Sequence, residues 1–234
     1  MEIQVAVAKV DKFSSDLGGD TAEIIERPNG GFSIVMADGK LNGIISKNIS
    51  LKIVHRTINL ISEGIHDGAA CKSVAKSLFN EFSGRVSASL NILSCDMETN
   101  SIVITRCSPL PVTVIQGDKI NSLKSDCGLL GENEDACFSV YQIPLENHIT
   151  IIMATDGIAS AGESNHNMIH IPTILSALYQ DQEPSAKETA DFLLKQAVNL
   201  DQNKPADDMC VVVLQTVPHL KSNIRKLSLQ FPIR

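Results

Sequence analysis

Residues 88–123, ASLNILSCDMETNSIVITRCSPLPVTVIQGDKINSL, decide the fold. They read as four consecutive strands, Ala88 to Asp96, Ser101 to Arg106, Pro111 to Gln116 and Lys119 to Leu123, each a short β-branched or apolar run closed by Asn, Asp, Pro or Gly. Gln116-Gly117-Asp118-Lys119 has the composition of a tight hairpin. Two further strands, Phe138 to Pro144 and His148 to Ala154, extend the block. Towards the N-terminus, Ile3 to Lys9 alternates apolar and polar residues, Gly31 to Ala37 follows an Asn29-Gly30 turn, and Thr21 to Arg27 lies between them as a third strand. Helical spacing then predicts helices over Leu41 to Glu63 and Gly68 to Ser83. Beyond an irregular stretch from Thr155 to His170, two more helices are expected. Ser185 and Glu188 form a capping box at the start of the second, and Met209 to Val217 is a final strand. Strands and helices come in blocks instead of alternating, which predicts an α+β fold with two mainly antiparallel sheets between helical layers.

The chain has 234 residues, 43% of them hydrophobic and 20% charged, which is the balance of one soluble globular domain. We expect residues 1–217 to form that domain and 218–234 a C-terminal extension. A formal charge of −7 and a pI near 5.3 argue against a nucleic-acid partner, which is held through clustered Lys and Arg. No apolar run is long enough to cross a bilayer, and Met1-Glu2-Ile3-Gln4 lacks the pattern of a signal peptide, so a cytoplasmic protein without a membrane partner is expected. The six cysteines, Cys71, Cys95, Cys107, Cys127, Cys137 and Cys210, form no C-x-x-C pair and mostly sit in apolar runs, so all six are expected to be free thiols. The tail carries Lys221, Arg225, Lys226 and Arg234 without an acidic residue; it reads as a solvated or packed extension, or as a contact for an acidic partner.

The phosphate loop, the H-E-x-x-H zinc helix and the G-x-S-x-G elbow are absent from the sequence, and no cysteine is followed six positions later by Arg. Carboxylate chemistry remains. Asp20, Asp38, Asp156 and Asp207 each lie where an apolar strand meets a turn. Singly, each reads as a turn or cap residue. Brought together, they would repel unless a cation neutralised them, and oxygen-only ligands select hard ions such as Mg²⁺ or Mn²⁺ over zinc. His166 and His170 have i,i+4 spacing, but Asn165 and Asn167 around them disfavour the helix a zinc pair would need.

The combination Gly19-Asp20, Ala37-Asp38-Gly39-Lys40-Leu41-Asn42-Gly43, Leu129-Leu130-Gly131, Ala154-Thr155-Asp156-Gly157 and Asp207-Asp208-Met209 resembles the PPM family of metal-dependent Ser/Thr protein phosphatases. Within it, the likeness is to the bacterial branch typified by the stage II sporulation phosphatase, and it runs from about Ile3 to Val217. The resemblance implies a four-layer αββα sandwich and hydrolysis of phosphoserine or phosphothreonine by a water that two Mn²⁺ or Mg²⁺ ions activate. It implies that Asp38 bridges both ions, Gly39 adds its backbone carbonyl, Asp20 serves one ion, and Asp156 with Asp207 serves the other. Asp38 and Asp156 would then be the catalytic pair and Asp208 a supporting carboxylate. The substrate implied is a phosphorylated STAS-domain regulator, of the anti-anti-sigma or stressosome type. The segment Ala159 to His170 matches the family's variable flap. Departures follow Asp38, where many relatives have Gly at the position of Leu41 and often His at that of Asn42, so the leaving-group acid is unassigned. Lys40 reads as an exposed loop lysine or as a group that steers phosphate. A catalytically silent binding module and a two-metal phosphodiesterase are the alternative readings.

Overall fold

The final strand, MCVVVLQTV, is apolar at nearly every position because it runs through the middle of a sheet with both faces covered. In a computed structural model describing residues 1–15, 17–180, 183–218 and 224–230, this strand, β11 (Met209–Val217), lies between β1 (Glu2–Val10) and β10 (Ile149–Ala154). β7 (Val112–Gln116) and β8 (Lys119–Leu123) complete that sheet, and all its pairings are antiparallel. The second sheet has the order β2 (Thr21–Glu26), β3 (Gly31–Leu41), β5 (Val86–Asp96), β6 (Ser101–Cys107) and β9 (Ser139–Pro144), with β4 (Ile44–Ile45) paired to β3.

The sheets face each other through Ile34, Met36, Leu93, Ile102 and Ile104 on one side and Val114, Ile151, Met153, Val212 and Leu214 on the other. Outside the second sheet, α1 (Lys47–Ser62) and α2 (Asp67–Phe82) bury Ile53, Val54, Ile61, Val74 and Leu78 against Val35, Leu90 and Ile92. Outside the first, α4 (Ile171–Leu178) and α5 (Ala186–Leu200) bury Leu175, Ala190 and Leu193 against Ile152, Val211 and Val213. The result is the expected α+β, four-layer αββα arrangement. α5 opens with the capping box of Ser185 and Glu188, and a four-residue α3 (Asp156–Ala159) follows β10.

Two local features differ from expectation, and a third accords with it. The helix predicted from Leu41 begins only at Lys47, because Asn42 and Gly43 both take positive φ (52° and 78°) and turn β3 back as a hairpin onto β4. Lys40 is therefore a strand residue, not a loop residue. Cys127 and Cys137 are joined by a disulfide, which corrects the reading of all six cysteines as free thiols. The loop doubles back where Leu130 forms a bridge with Ala88, the Cys127 and Cys137 Cα atoms stand 5.1 Å apart, and no sequence spacing announces that return. Gly131 makes the turn at φ 90°, where a Cβ would stand 2.6 Å from the Val86 carbonyl oxygen. The other four cysteines are buried and free; burial pushes the Cys71 thiol up to about 12 and those of Cys95 and Cys107 up to about 11. Finally, the His170 ring accepts from the Thr173 backbone N–H and caps α4, so it is a helix cap.

Among the described residues, no helix is long and apolar enough to cross a membrane. In the tail, Arg225 reaches Glu26 at 3.3 Å on the surface, whereas Lys221 and Arg234 lie outside the described residues.

Candidate active site

Period-two alternation carries Asp38 onto the same face of β3 as Ile34 and Met36, so its carboxylate stands where the inter-sheet core runs out. At that end, β10 delivers Thr155 and Asp156, the turn into β11 delivers Asp207 and Asp208, and the turn into β2 delivers Asp20. Thr155 joins these segments. Its hydroxyl donates to Asp20 Oδ2 (2.7 Å) and accepts from the Cys210 N–H (2.9 Å), while its own N–H donates to the Cys210 carbonyl (3.0 Å). Asp208, 3% exposed, accepts from the Lys12 N–H (2.8 Å) and the Gly19 N–H (2.6 Å), one on each oxygen. It therefore ties the loop preceding Asp20 to the start of β11. Gly157 is required by close approach, because a Cβ there would collide with the Asp208 carbonyl oxygen.

The backbone around Asp20 is held from α1. Lys47 Nζ donates to the Asp20 carbonyl (2.5 Å) and to Thr21 Oγ1 (2.9 Å), and the Ser50 hydroxyl donates to the Gly19 carbonyl. The Gly39 carbonyl accepts the Ser46 N–H (2.8 Å), which leaves one lone pair for a further contact.

Burial and like charge act together on these side chains. Burial, then Asp38, push the Asp20 carboxyl well above the usual carboxylate range, against the hydrogen bond from Thr155. Burial and Asp156 raise Asp38 to about 6, and Asp207 is also raised, chiefly by burial. Lys40 Nζ stands 3.2 Å from Asp156 Oδ2. Burial works to lower its ammonium, but Asp156, Asp38 and Asp207 outweigh it and raise it. Asp20 thus senses Asp38 and Asp156, and Asp38 senses Asp156 and Asp207, so the four aspartates are electrostatic neighbours. Among the described residues, no group of three or more His, Cys, Asp or Glu side chains stands close enough together to hold a metal ion as placed. The donor chemistry nevertheless fits a hard divalent ion: carboxylates and a carbonyl, confined together, with one lysine against them.

Sequence reasoning missed Thr155, Lys47 and Ser50. The signal for Thr155 was its place beside Asp156 at a strand end; Lys47 and Ser50 act from a helix, through contacts no local pattern shows. The flap segment is fastened at its near end, where the Gly162 N–H donates to Asp201 (2.8 Å) and the Asn165 amide to the Leu200 carbonyl (3.1 Å).

Two antiparallel sheets between helical layers, here with an acidic cluster at one end, are the architecture of the PP2C-type phosphatase fold. Residues 28–217 match the family described as stage II sporulation protein E (SpoIIE), and the chain belongs to that family of PP2C-type serine/threonine phosphatases. The matched region contains Asp38, Asp156 and Asp207 but not Asp20. The chain is 21% identical over 211 residues to stage II sporulation protein E of Priestia megaterium, covering 90% of this chain and 36% of that protein. It thus spans about a third of that relative's length. Its fold is similar to a structure of the PP2C phosphatase domain with a regulatory fragment of SpoIIE from Bacillus subtilis. There the TM-score is 0.75 at 20% identity, over 92% of this chain and 63% of that one. A second structure of the SpoIIE phosphatase domain from the same organism gives 0.71 at 18%, over 98% of both chains. A structure of RsbX in complex with magnesium gives 0.69 at 17%, over 92% of this chain and 95% of that one.

Proposed function

We propose that this chain hydrolyses phosphoserine or phosphothreonine on a protein in the cytoplasm, using two Mn²⁺ or Mg²⁺ ions held by Asp20, Asp38, Gly39, Asp156 and Asp207. The observation that carries the reading is the confinement of Asp20, Asp38, Asp156 and Asp207 at one end of the sandwich, where burial and mutual repulsion raise Asp20, Asp38 and Asp207. Such an arrangement is costly without a cation and becomes favourable with one. When bound, the ions supply charge neutralisation at the phosphoryl oxygens and activation of the attacking water. The chain's own residues hold the geometry: Asp38 stands centrally on a rigid strand, Thr155 fixes the Asp20 carboxylate, and Asp208 anchors the backbone before Asp20. Residues 1–217 supply this catalytic unit, and 218–234 extend from it.

For substrate we infer a phosphorylated STAS-domain regulator of the anti-anti-sigma or stressosome type, supported by membership of the SpoIIE family and by the similarity to RsbX. Phosphate release from a phosphoserine-bearing STAS-domain protein should require Mn²⁺ or Mg²⁺ and stop in EDTA. Release from p-nitrophenyl phosphate should follow the same dependence, with no activity on a bis-phosphodiester. Binding of the phosphoprotein without release, at saturating Mn²⁺, would instead mark a catalytically silent module.

A further inference from the structure

We propose that Lys40 is a built-in counter-ion of the cleft: its ammonium neutralises Asp156 in the metal-free protein, competes with divalent cations for that carboxylate, and once displaced meets the phosphoryl group of the substrate. This inference rests on the two-ion reading of the cleft given above. Among the described residues, Lys40 is the only side-chain cation in an ion pair with any of the four aspartates, at 3.2 Å from Asp156 Oδ2. The other nearby lysines, Lys9 and Lys47, contact the Asp20 carbonyl oxygen and not its carboxylate. The position is fixed by the fold. β3 runs on through Asp38 and Gly39 to Leu41, and its pairing with β4 through Lys40 and Ile45 places the Lys40 backbone two residues from Asp38 on a hydrogen-bonded strand.

Both partners remain accessible, with side chains 32% and 42% exposed, so the ammonium can leave Asp156 by rotation of its four-carbon stem without opening the core. A carboxylate paired with an ammonium is a poorer ligand for a doubly charged ion, because the ion meets both a shared oxygen and a repelling charge a few ångströms away. Released at the rim of a cleft that holds cations, the same ammonium is a compact point charge suited to a phosphoryl oxygen. A strand position following the Asp-Gly pair thus serves two states of the site with one side chain.

The test is titration calorimetry of Mn²⁺ into the metal-free full chain, for the wild type, Lys40→Met and Lys40→Arg, together with KM and kcat on a phosphoserine peptide. Lys40→Met should bind Mn²⁺ about three- to tenfold more tightly, the scale of one partly exposed charge pair. Its KM for the peptide should rise by more than its kcat falls, and Lys40→Arg should stay within about twofold of wild type in metal affinity. Unchanged or weaker Mn²⁺ binding by Lys40→Met overturns the proposal, and so does an unchanged KM. If none of the three proteins takes up Mn²⁺, the two-ion reading itself fails and takes this inference with it.

Discussion

Replacing Asp38 by Asn removes one negative charge from the cleft while keeping the side chain's shape, and it should stabilise the metal-free protein. The magnitude follows from the carboxyl, which burial and Asp156 raise from 3.8 to about 6. At about 1.4 kcal/mol per pKa unit, the ionised form costs the folded state about 3 kcal/mol, trimmed to about 2 by the solvent that reaches Asp38. Folded Asp38 takes up its proton as pH falls through about 6, before the unfolded chain does, so wild-type stability rises between about pH 7 and pH 4. In EDTA at pH 7.5, Asp38→Asn should therefore melt about 4–8 °C above wild type, the scale for 2 kcal/mol in a chain of this size, and the gap should close towards pH 4. Saturating Mn²⁺ should reverse the order, because ligand at about a hundred times Kd adds about 2.7 kcal/mol to wild type and little to the variant. Thermal melts followed by circular dichroism, in EDTA and in Mn²⁺ across pH 4–8, measure all of this. Equal or lower stability of Asp38→Asn in EDTA at pH 7.5 would refute the electrostatic reasoning.

Gly157→Ala forces a methyl group into the Asp208 carbonyl, so the Asp207-Asp208 turn must shift. We expect a loss of about 1–3 kcal/mol in chemical denaturation and about a hundredfold loss of phosphate release, since a misplacement of about 1 Å acts that strongly on catalysis. Arg27→Met strands Asp67, whose side chain is 5% exposed, with only Ser94 to pair its charge. The urea midpoint should fall by the equivalent of about 3–5 kcal/mol, far from the cleft and with kcat intact in what remains folded. The disulfide closes a short loop with a sequence separation of 10. Loop entropy puts its contribution near 3 kcal/mol, so dithiothreitol should lower the melting temperature of wild type and leave a Cys127→Ser, Cys137→Ser double variant unmoved.

Most of the architecture is legible because period and turn chemistry agree: Lys119–Leu123 and Met209–Val217 coincide residue for residue with their predicted runs, and the Ser185 capping box appears as read. Helical spacing over Leu41 to Glu63 misplaces one boundary, because the Asn42-Gly43 dipeptide, a strong hairpin signal, keeps Lys40 in β3 and delays the helix. Four aspartates at strand ends were visible as candidates because charge seldom interrupts apolar runs without cause. Their neighbourhood was not visible, since Thr155 meets Asp20 across 135 positions and Gly19 meets Asp208 across 189. The same holds for the Cys127–Cys137 pairing, which depends on where Leu130 docks against β5.

Anomalous diffraction from a crystal of the full chain grown in Mn²⁺ tests the central claim most directly. Two manganese peaks are expected, both touching Asp38, with Asp20 on one, Asp156 with Asp207 on the other, the Gly39 carbonyl on either, and Lys40 drawn away from Asp156. A map without manganese among these carboxylates, and with Lys40 still on Asp156, would contradict it.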